Sequence, residues 1–324
     1  MEIPKRISVT NTVSGFPLRS NPETPGLLGE IMKTIAFAPN PHKEEAVRLA
    51  CELAEWLAAS DVKVLGTEEM AARAGKPSLA VSEDRLVEAD LLLVLGGDGT
   101  MLRWSRVAAP KGTPMMGVNF GQYGFITEID PRQAKTALRK FLDGDYFLSE
   151  RVVLKASHNR HGKTIGTYHA LNDVVVSKGP LARMMGLHTS VNGKFIVTYA
   201  ADGIIVSSPT GSTAYSLSAG GPVVHPNVSV LIITPICPHT LNARSLVVPD
   251  SETIQIVGDS GEDEPAMMLT IDGQLGENLN HHDVVEVQKA DFTAKLVQLT
   301  PQSFYEKLQT RLRWGERFTT GSEL

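Results

Sequence analysis

Five consecutive apolar residues, Leu91-Leu92-Leu93-Val94-Leu95, run directly into Gly96-Gly97-Asp98-Gly99-Thr100, and a helix-compatible segment follows. An uninterrupted apolar run of this length predicts a strand buried on both faces, as in a parallel sheet. Glycines at its end permit a sharp turn and let backbone N–H groups approach a ligand closely. The positive end of the following helix favours phosphate. Asp98 places another negative charge in that turn. A carboxylate beside bound phosphates makes sense where it handles a proton or a metal in phosphoryl transfer; a turn Asp with a purely structural role is the alternative. Neither standard phosphate motif is present. A GxGxxG starting at Gly97 fails at Leu102, and Gly162-Lys163-Thr164 has Ser157 where a Walker A loop needs its first glycine.

Helix and strand periods alternate around this turn. Met32–Ala38 reads as a strand, Asn40 and Pro41 as an N-cap and first-turn proline, and Ala46, Leu49, Ala50, Leu53 and Leu57 as one helical stripe. Val62–Leu65 and Met115–Val118 read as further strands, and residues 101–109 as a helix that Pro110 ends. Asp130 and Pro131 cap a helix carrying Ala134, Ala137, Leu138 and Phe141. This alternation predicts an α/β N-terminal domain with a parallel sheet. A second glycine-rich turn, Asn119–Phe125, leaves a strand end as the first does, and ligands collect at such carboxyl ends.

Beyond residue 150 the texture changes to short strand-like runs. Arg151–His158 and Thr164–Ala170 flank a turn at Asn159–Lys163, and Gly186–Val191 and Lys194–Ala200 flank the hairpin signal Asn192-Gly193. Val228–Thr234, Ser245–Val248, Glu252–Val257, Ala266–Ile271 and Asp283–Val287 continue the pattern, predicting a β-rich, sandwich-like C-terminal domain. The expected segments are 1–31, a poorly ordered extension; 32–131, α/β and phosphate-binding; 132–300, β-rich; and 301–324, a helix and tail packing back on the first domain. With 324 residues, 42% hydrophobic and 21% charged, the chain is expected to be a two-domain globular protein. A net charge of −5 argues against nucleic acid, and no apolar stretch reaches membrane-helix length. Two cysteines, Cys51 and Cys237, support no disulfide framework or zinc cluster and point to the cytoplasm.

Two more stretches read as site material. Residues 202–222, DGIIVSSPTGSTAYSLSAGGP, are rich in hydroxyls and interrupted by Tyr215; they suit a loop that offers polar contacts and a ring to a ligand, against a plain surface loop. Asn172-Asp173 interrupts an apolar run, which suggests a β-bulge or a site. His281-His282-Asp283 reads as a solvated turn, and Glu262-Asp263-Glu264 as an exposed loop.

Together these motifs resemble those of the NAD kinase family. GGDGT stands at Gly96–Thr100, a GxNxGxxGF turn at Gly117–Phe125, the Asn-acid pair at Asn172-Asp173, the DG…TPTGSTAY…GGP loop at Asp202–Pro222, and TPIxPHxLxxR at Thr234–Arg244, in order. The resemblance covers about residues 32–290. It implies an ATP-dependent kinase acting on the 2′-hydroxyl of the adenosine ribose of NAD, with Asp98 as general base and Mg²⁺ bridging the ATP phosphates. By position it implies that Gly97, Gly99, Thr100 and Arg103 line the ATP site, and that Asn172 and Asp173 hold the adenosine end of NAD. Arg183, Asp202, Thr213, Ala214, Tyr215, Ser216, Leu217 and Ser218 would contact the rest of the dinucleotide, with Phe125, Thr210 and Gln274 at further contact positions. It also implies homodimers or homotetramers. Tyr123, Ser208 and Ala200 depart from the family pattern. A lipid or sugar kinase sharing the GGDGT turn, or a noncatalytic NAD(P)-binding regulator, are the rival readings.

Overall fold

The apolar run forms the interior of a parallel sheet. The structure of the protein, a computed structural model, describes residues 32–121, 124–179, 185–259, 267–300 and 304–312. The expectations for residues 1–31, Tyr123, Arg183, Glu262–Glu264 and the end of the C-terminal helix lie outside these residues. The first lobe runs β1 (Lys33–Pro39), α1 (Glu44–Leu57), β2 (Val62–Gly66), α2 (Glu68–Arg73), α3 (Glu83–Leu86), β3 (Leu91–Gly96), α4 (Asp98–Ala108), β4 (Met115–Asn119) and α5 (Ala134–Leu142). The strands pair in parallel in the order β2-β1-β3-β4. Residues Leu91–Leu95 of β3 are fully buried, which is why the run carries no polar alternation.

Two boundaries differ from the sequence expectation. Helix α1 begins at Glu44, because the Asn40 side chain closes a local turn by accepting from the His42 amide and reaches across to Thr100 Oγ1. Helix α4 begins three residues earlier than expected, so Asp98 is its first residue, after the extended Gly97.

The second lobe contains β5 (Phe147–Arg160), β6 (Lys163–Ala170), β7 (Asp173–Lys178), β8 (Met185–Val191), β9 (Lys194–Ala201), β10 (Gly203–Ser207), a short helix α6 (Tyr215–Ser218), β11 (Val230–Ile236), β12 (Leu246–Pro249), β13 (Ile254–Asp259), β14 (Met267–Ile271), β15 (Leu275–Leu279) and β16 (Val284–Gln298), followed by α7 (Phe304–Leu312). An antiparallel six-stranded sheet, β12-β11-β10-β7-β14-β15, faces the β16-β13-β8-β9 part of the other sheet, to which β5 and β6 also attach. Side chains such as Val174, Val176, Ile204 and Val206 meet Leu187, Ile254, Ile256 and Val285 in a dry core. This is a β-sandwich packed at its side onto the α/β sheet.

Strand β16 joins the lobes. Its first half pairs with β13, β5 runs antiparallel along most of its length, and Leu296 pairs in parallel with Met115 of β4. The sequence pattern signals only its beginning, because a register shift between Lys289 and Thr293 interrupts the alternation. Asn192 and Gly193 both have positive φ, 49° and 73°, as a two-residue hairpin of this kind requires. Asp272-Gly273, at 49° and 63°, opens a three-residue turn with Gln274 between β14 and β15.

The solvated-turn expectation for His281–Asp283 needs correction at Asp283. That carboxylate is buried, with His158 Nε2 at 2.8 Å, a two-pronged contact from Arg160 at 2.9 and 2.8 Å, and the Asn280 amide at 2.7 Å. Burial alone would push its carboxyl up; the hydrogen bonds from Arg160, His158 and Asn280 outweigh that and hold it at about 2. The stabilisation from the ionised form is therefore present above about pH 4 and lost as pH falls through about 2. Asp283→Ala leaves His158 and Arg160 without their shared acceptor and is expected to cost ~3 kcal/mol of stability. A urea midpoint unchanged from wild type at pH 7 would contradict this.

Candidate active site

Asp98 opens α4 and turns its carboxylate to the loop that follows β4. Oδ1 accepts from the Thr127 amide at 2.9 Å and the Thr127 hydroxyl at 2.8 Å; Oδ2 accepts from the Phe125 amide at 2.8 Å, with the Ile126 amide 3.3 Å from Oδ1 and 3.4 Å from Oδ2. The two glycine-rich turns are thus tied together by one side chain. Gly124 is required here for space: a Cβ on it would sit 2.0 Å from the Asp98 carboxyl carbon. With one short contact at Oδ2, that oxygen keeps a lone pair for a further donor.

The glycine turn opens on a cleft of about 780 Å³, lined by Asn40, Lys43, Gly97, Gly99, Thr100, Arg103 and Gln274 among others. Its volume suits a nucleotide. Lys43 donates to the Phe120 carbonyl, and Arg103 pairs with Glu83 while lying 4.9 Å over the Trp104 ring. Both cations stand at the cleft wall, each held there by a partner.

A second hollow, about 310 Å³, is lined by Asn172, Asp173, Val175, Ala214, Tyr215, Asp272 and Gly273. The β14–β15 turn borders both hollows: Gln274 lines one, and Asp272 and Gly273 the other. Asn172 and Asp173 sit at the start of β7, so there is no bulge; the bend is held by the buried Asp272 carboxylate, which accepts from the amides of Leu171, Asn172 and Asp173 at 3.1, 2.8 and 3.2 Å. Burial, and then the neighbouring Asp272, push the Asp173 carboxyl up to about 7. Burial also raises Asp272, against the pull of three amides and Arg106. Asn172 Oδ1 is buried and without a hydrogen-bond partner, as is Thr210 Oγ1. Tyr215 is 46% exposed beside them.

The hydroxyl-rich stretch is used differently from the expected ligand loop. Gly203–Ser207 is a buried central strand, and Ser208, Ser212 and Ser216 after it are buried. Ser212 Oγ bonds the Pro209 carbonyl and the Val224 amide, and Ser216 Oγ meets Thr234 Oγ1 at 3.0 Å. Gly211 must lack a side chain because a Cβ would fall 2.1 Å from the Asn172 carbonyl oxygen. That contact presses the turn carrying Ala214 and Tyr215 against the Asn172 bend. Thr213 donates to the Thr210 carbonyl, while Leu217 is half-buried and Ser218 exposed on the short helix that follows. Asp202 is not brought to this hollow. It pairs with Lys178 at 2.7 Å, at the other end of β7 from Asp173, about 17 Å away at ordinary strand rise. Asp272 and Arg106 were missed in the sequence; the Asp-Gly turn signal before Gln274 could have found the first.

Fold and site together are those of a two-lobed phosphotransferase that handles nucleotides: a glycine turn at a helix head in one lobe, and a polar hollow from the other lobe beside it. Residues 35–146 match the ATP-NAD kinase N-terminal domain, and residues 171–299 the ATP-NAD kinase C-terminal domain. The NAD kinase of Geotalea daltonii is 43% identical over 286 residues, spanning 88% of this chain and 100% of the relative. That of Moorella thermoacetica is 44% identical over 284 residues, spanning 88% and 90%. Yeast NADH kinase, solved in complex with NADH, superposes with a TM-score of 0.82 at 25% identity over 90% of both chains. An NAD kinase from Archaeoglobus fulgidus, solved in complex with ATP, shares the fold at a TM-score of 0.68 and 23% identity, over 86% of this chain and 98% of that one. The chain belongs to the ATP-NAD kinase family.

The raised Asp173 carboxyl has a thermodynamic consequence. Its contribution to stability is full below about pH 4, the unfolded-chain value, and is lost as pH rises through about 7. Asp173→Asn removes that loss. The variant should melt at least about 2 °C above wild type at pH 8, with the gap closing toward pH 5. Equal melting temperatures at pH 8 by scanning calorimetry would contradict the assignment.

Proposed function

We infer that this protein transfers the γ-phosphate of ATP to the 2′-hydroxyl of the adenosine ribose of NAD, giving NADP and ADP. The observation that carries the reading is the adjacency of the two hollows at the Asp272–Gln274 turn, with Asp98 anchored at the head of α4. Relatives named NAD kinase over nearly the whole chain support it.

In this reading the phosphates lie against Gly97, Gly99 and Thr100, where helix dipole and amides favour negative charge. Arg103 swings from Glu83 toward them. Asn172 Oδ1, a buried acceptor without a donor, receives an N–H from the adenine; Asp173 accepts from ribose hydroxyls; Tyr215 packs beside a ring. The 2′-hydroxyl loses its proton to the open lone pair of Asp98 Oδ2 as its oxygen attacks the γ-phosphorus and the bond to the β-phosphate oxygen breaks. Phe125 and Thr127 hold that carboxylate in place throughout. No group of three or more His, Cys, Asp or Glu suited to a metal occurs among the described residues, so a divalent cation would be carried by the ATP phosphates, whose charge it neutralises. Arg183, Thr213, Leu217 and Ser218 are outer contacts to the dinucleotide, while Ser216, bonded to Thr234, shapes the turn from inside. We also propose a homodimer or homotetramer acting in the cytoplasm. Exposed apolar residues such as Phe195, Leu241 and Val247 support self-association, and the free Cys51 and Cys237 suit a reducing compartment.

The test is the purified protein with NAD, ATP and Mg²⁺, coupled to a strictly NADP-dependent dehydrogenase. Signal with NAD is expected; phosphorylation of a lipid or sugar without it would overturn the reading. Asp98→Asn should lower turnover by ~10²–10⁴-fold while dinucleotide affinity stays within about threefold. Near-normal turnover would remove Asp98 from the role of base.

A further inference from the structure

Helix α4 is connected to the Asn172–Asp173 bend by a continuous chain of polar contacts. Gln274 Nε2 donates to the Gly99 carbonyl in the first turn of the helix at 2.7 Å. Gln274 Oε1 accepts from Arg106, two turns further along the same helix, at 2.6 Å. The other arm of the Arg106 guanidinium lies 3.5 Å from Asp272 Oδ2. Asp272, whose side chain is fully buried, then collects the three amides of residues 171–173. Gln274 is therefore a bridge in this structure as well as a wall of the cleft.

We propose that Arg106 is a positioning residue of the phosphoryl transfer: through Gln274 and Asp272 it fixes the helix that carries Asp98 against the bend that carries Asn172 and Asp173. This rests on the functional reading above. One guanidinium thereby sets the distance and angle between the base and the hydroxyl it deprotonates. The planar fork matters, because two partners on one turn must be met at once, and a point charge such as an ammonium meets one of them at a time. Arg106 lines neither hollow, so neither binding site loses a direct contact when it changes. What changes is the relative placement of the two, and displacement by 1 Å of reacting groups is enough for ~10²-fold in rate. Arg106 itself is largely sheltered, with 14% of its side chain exposed, and the charged groups facing it are Asp272 on the β14–β15 turn and Arg103 on its own helix.

The experiment is steady-state kinetics on the full chain with ATP, Mg²⁺ and NAD, comparing wild type, Arg106→Met, Arg106→Lys, Gln274→Ala and the pair Arg106→Met with Asp272→Asn. The pair removes both buried charges and serves where the single methionine variant fails to fold. Expected are a fall in kcat of about 10–100-fold in Arg106→Met and in the pair, KM values for both substrates within about threefold in Arg106→Met, and a smaller fall in Arg106→Lys. In the pair the KM for ATP stays within that range while that for NAD rises, because Asp272 also holds the Asn172 bend. Gln274→Ala should lower kcat, and combining it with Arg106→Met should add little, since both break one chain of contacts. A folded Arg106→Met or paired variant with wild-type kcat overturns the proposal, as does a loss confined to melting temperature or to KM. A wild-type chain that transfers no phosphate to NAD overturns the functional reading and this one together.

Discussion

A carboxylate shut away from water is costly unless its lone pairs are filled, and Asp272 meets that condition with three amides and a guanidinium. Everything on the acceptor side of the site follows from this. The amides it gathers belong to the residues that bend into β7, so the bend exists because the carboxylate is there. Asp173 is left beside it with its own carboxyl raised, and Asn172 with an amide oxygen that finds no donor in the chain. Groups held in such states lower stability and are retained where a ligand completes them.

On the donor side the logic is similar and the sign of the problem is opposite. Amides at a helix head and after β4 point into one region and attract anions; Asp98 satisfies those at 125–127 and so leaves the turn at 97–100 for another negative group. The close approach that makes this possible has no room for a side chain at residue 124.

The parts of this arrangement that could be read from the sequence are those with local physical signatures. Leu91–Leu95 announces a strand covered on both faces, and Asn192-Gly193 announces a hairpin. The order of glycine turns, the Asn172-Asp173 pair and the hydroxyl-rich stretch placed the chain within a family, and nine of the residues called from them, among them Gly97, Thr100, Asn172 and Tyr215, line the two hollows. Composition misled where it ignored direction. Ser212 and Ser216 look like ligand groups in a list of hydroxyls, yet they satisfy backbone and threonine partners inside the fold. Asp202 shares a motif with Tyr215 but lies at the far end of its sheet, because the intervening strand β10 carries the chain the length of that sheet. The contact of Arg106 with a turn 166 residues later has no local signature at all, since it depends on how the lobes dock.

The shared strand β16 has a mechanical meaning. The sandwich and the parallel sheet are sewn into a single hydrogen-bonded surface, through one thread contributed by the last third of the chain. Clamshell opening would have to break the Leu296–Met115 pairing at that seam. During synthesis the same thread arrives late; until it does, the Met115 end of β4 lacks its outer neighbour, while Gly117 and Asn119 are already bonded to Ile129.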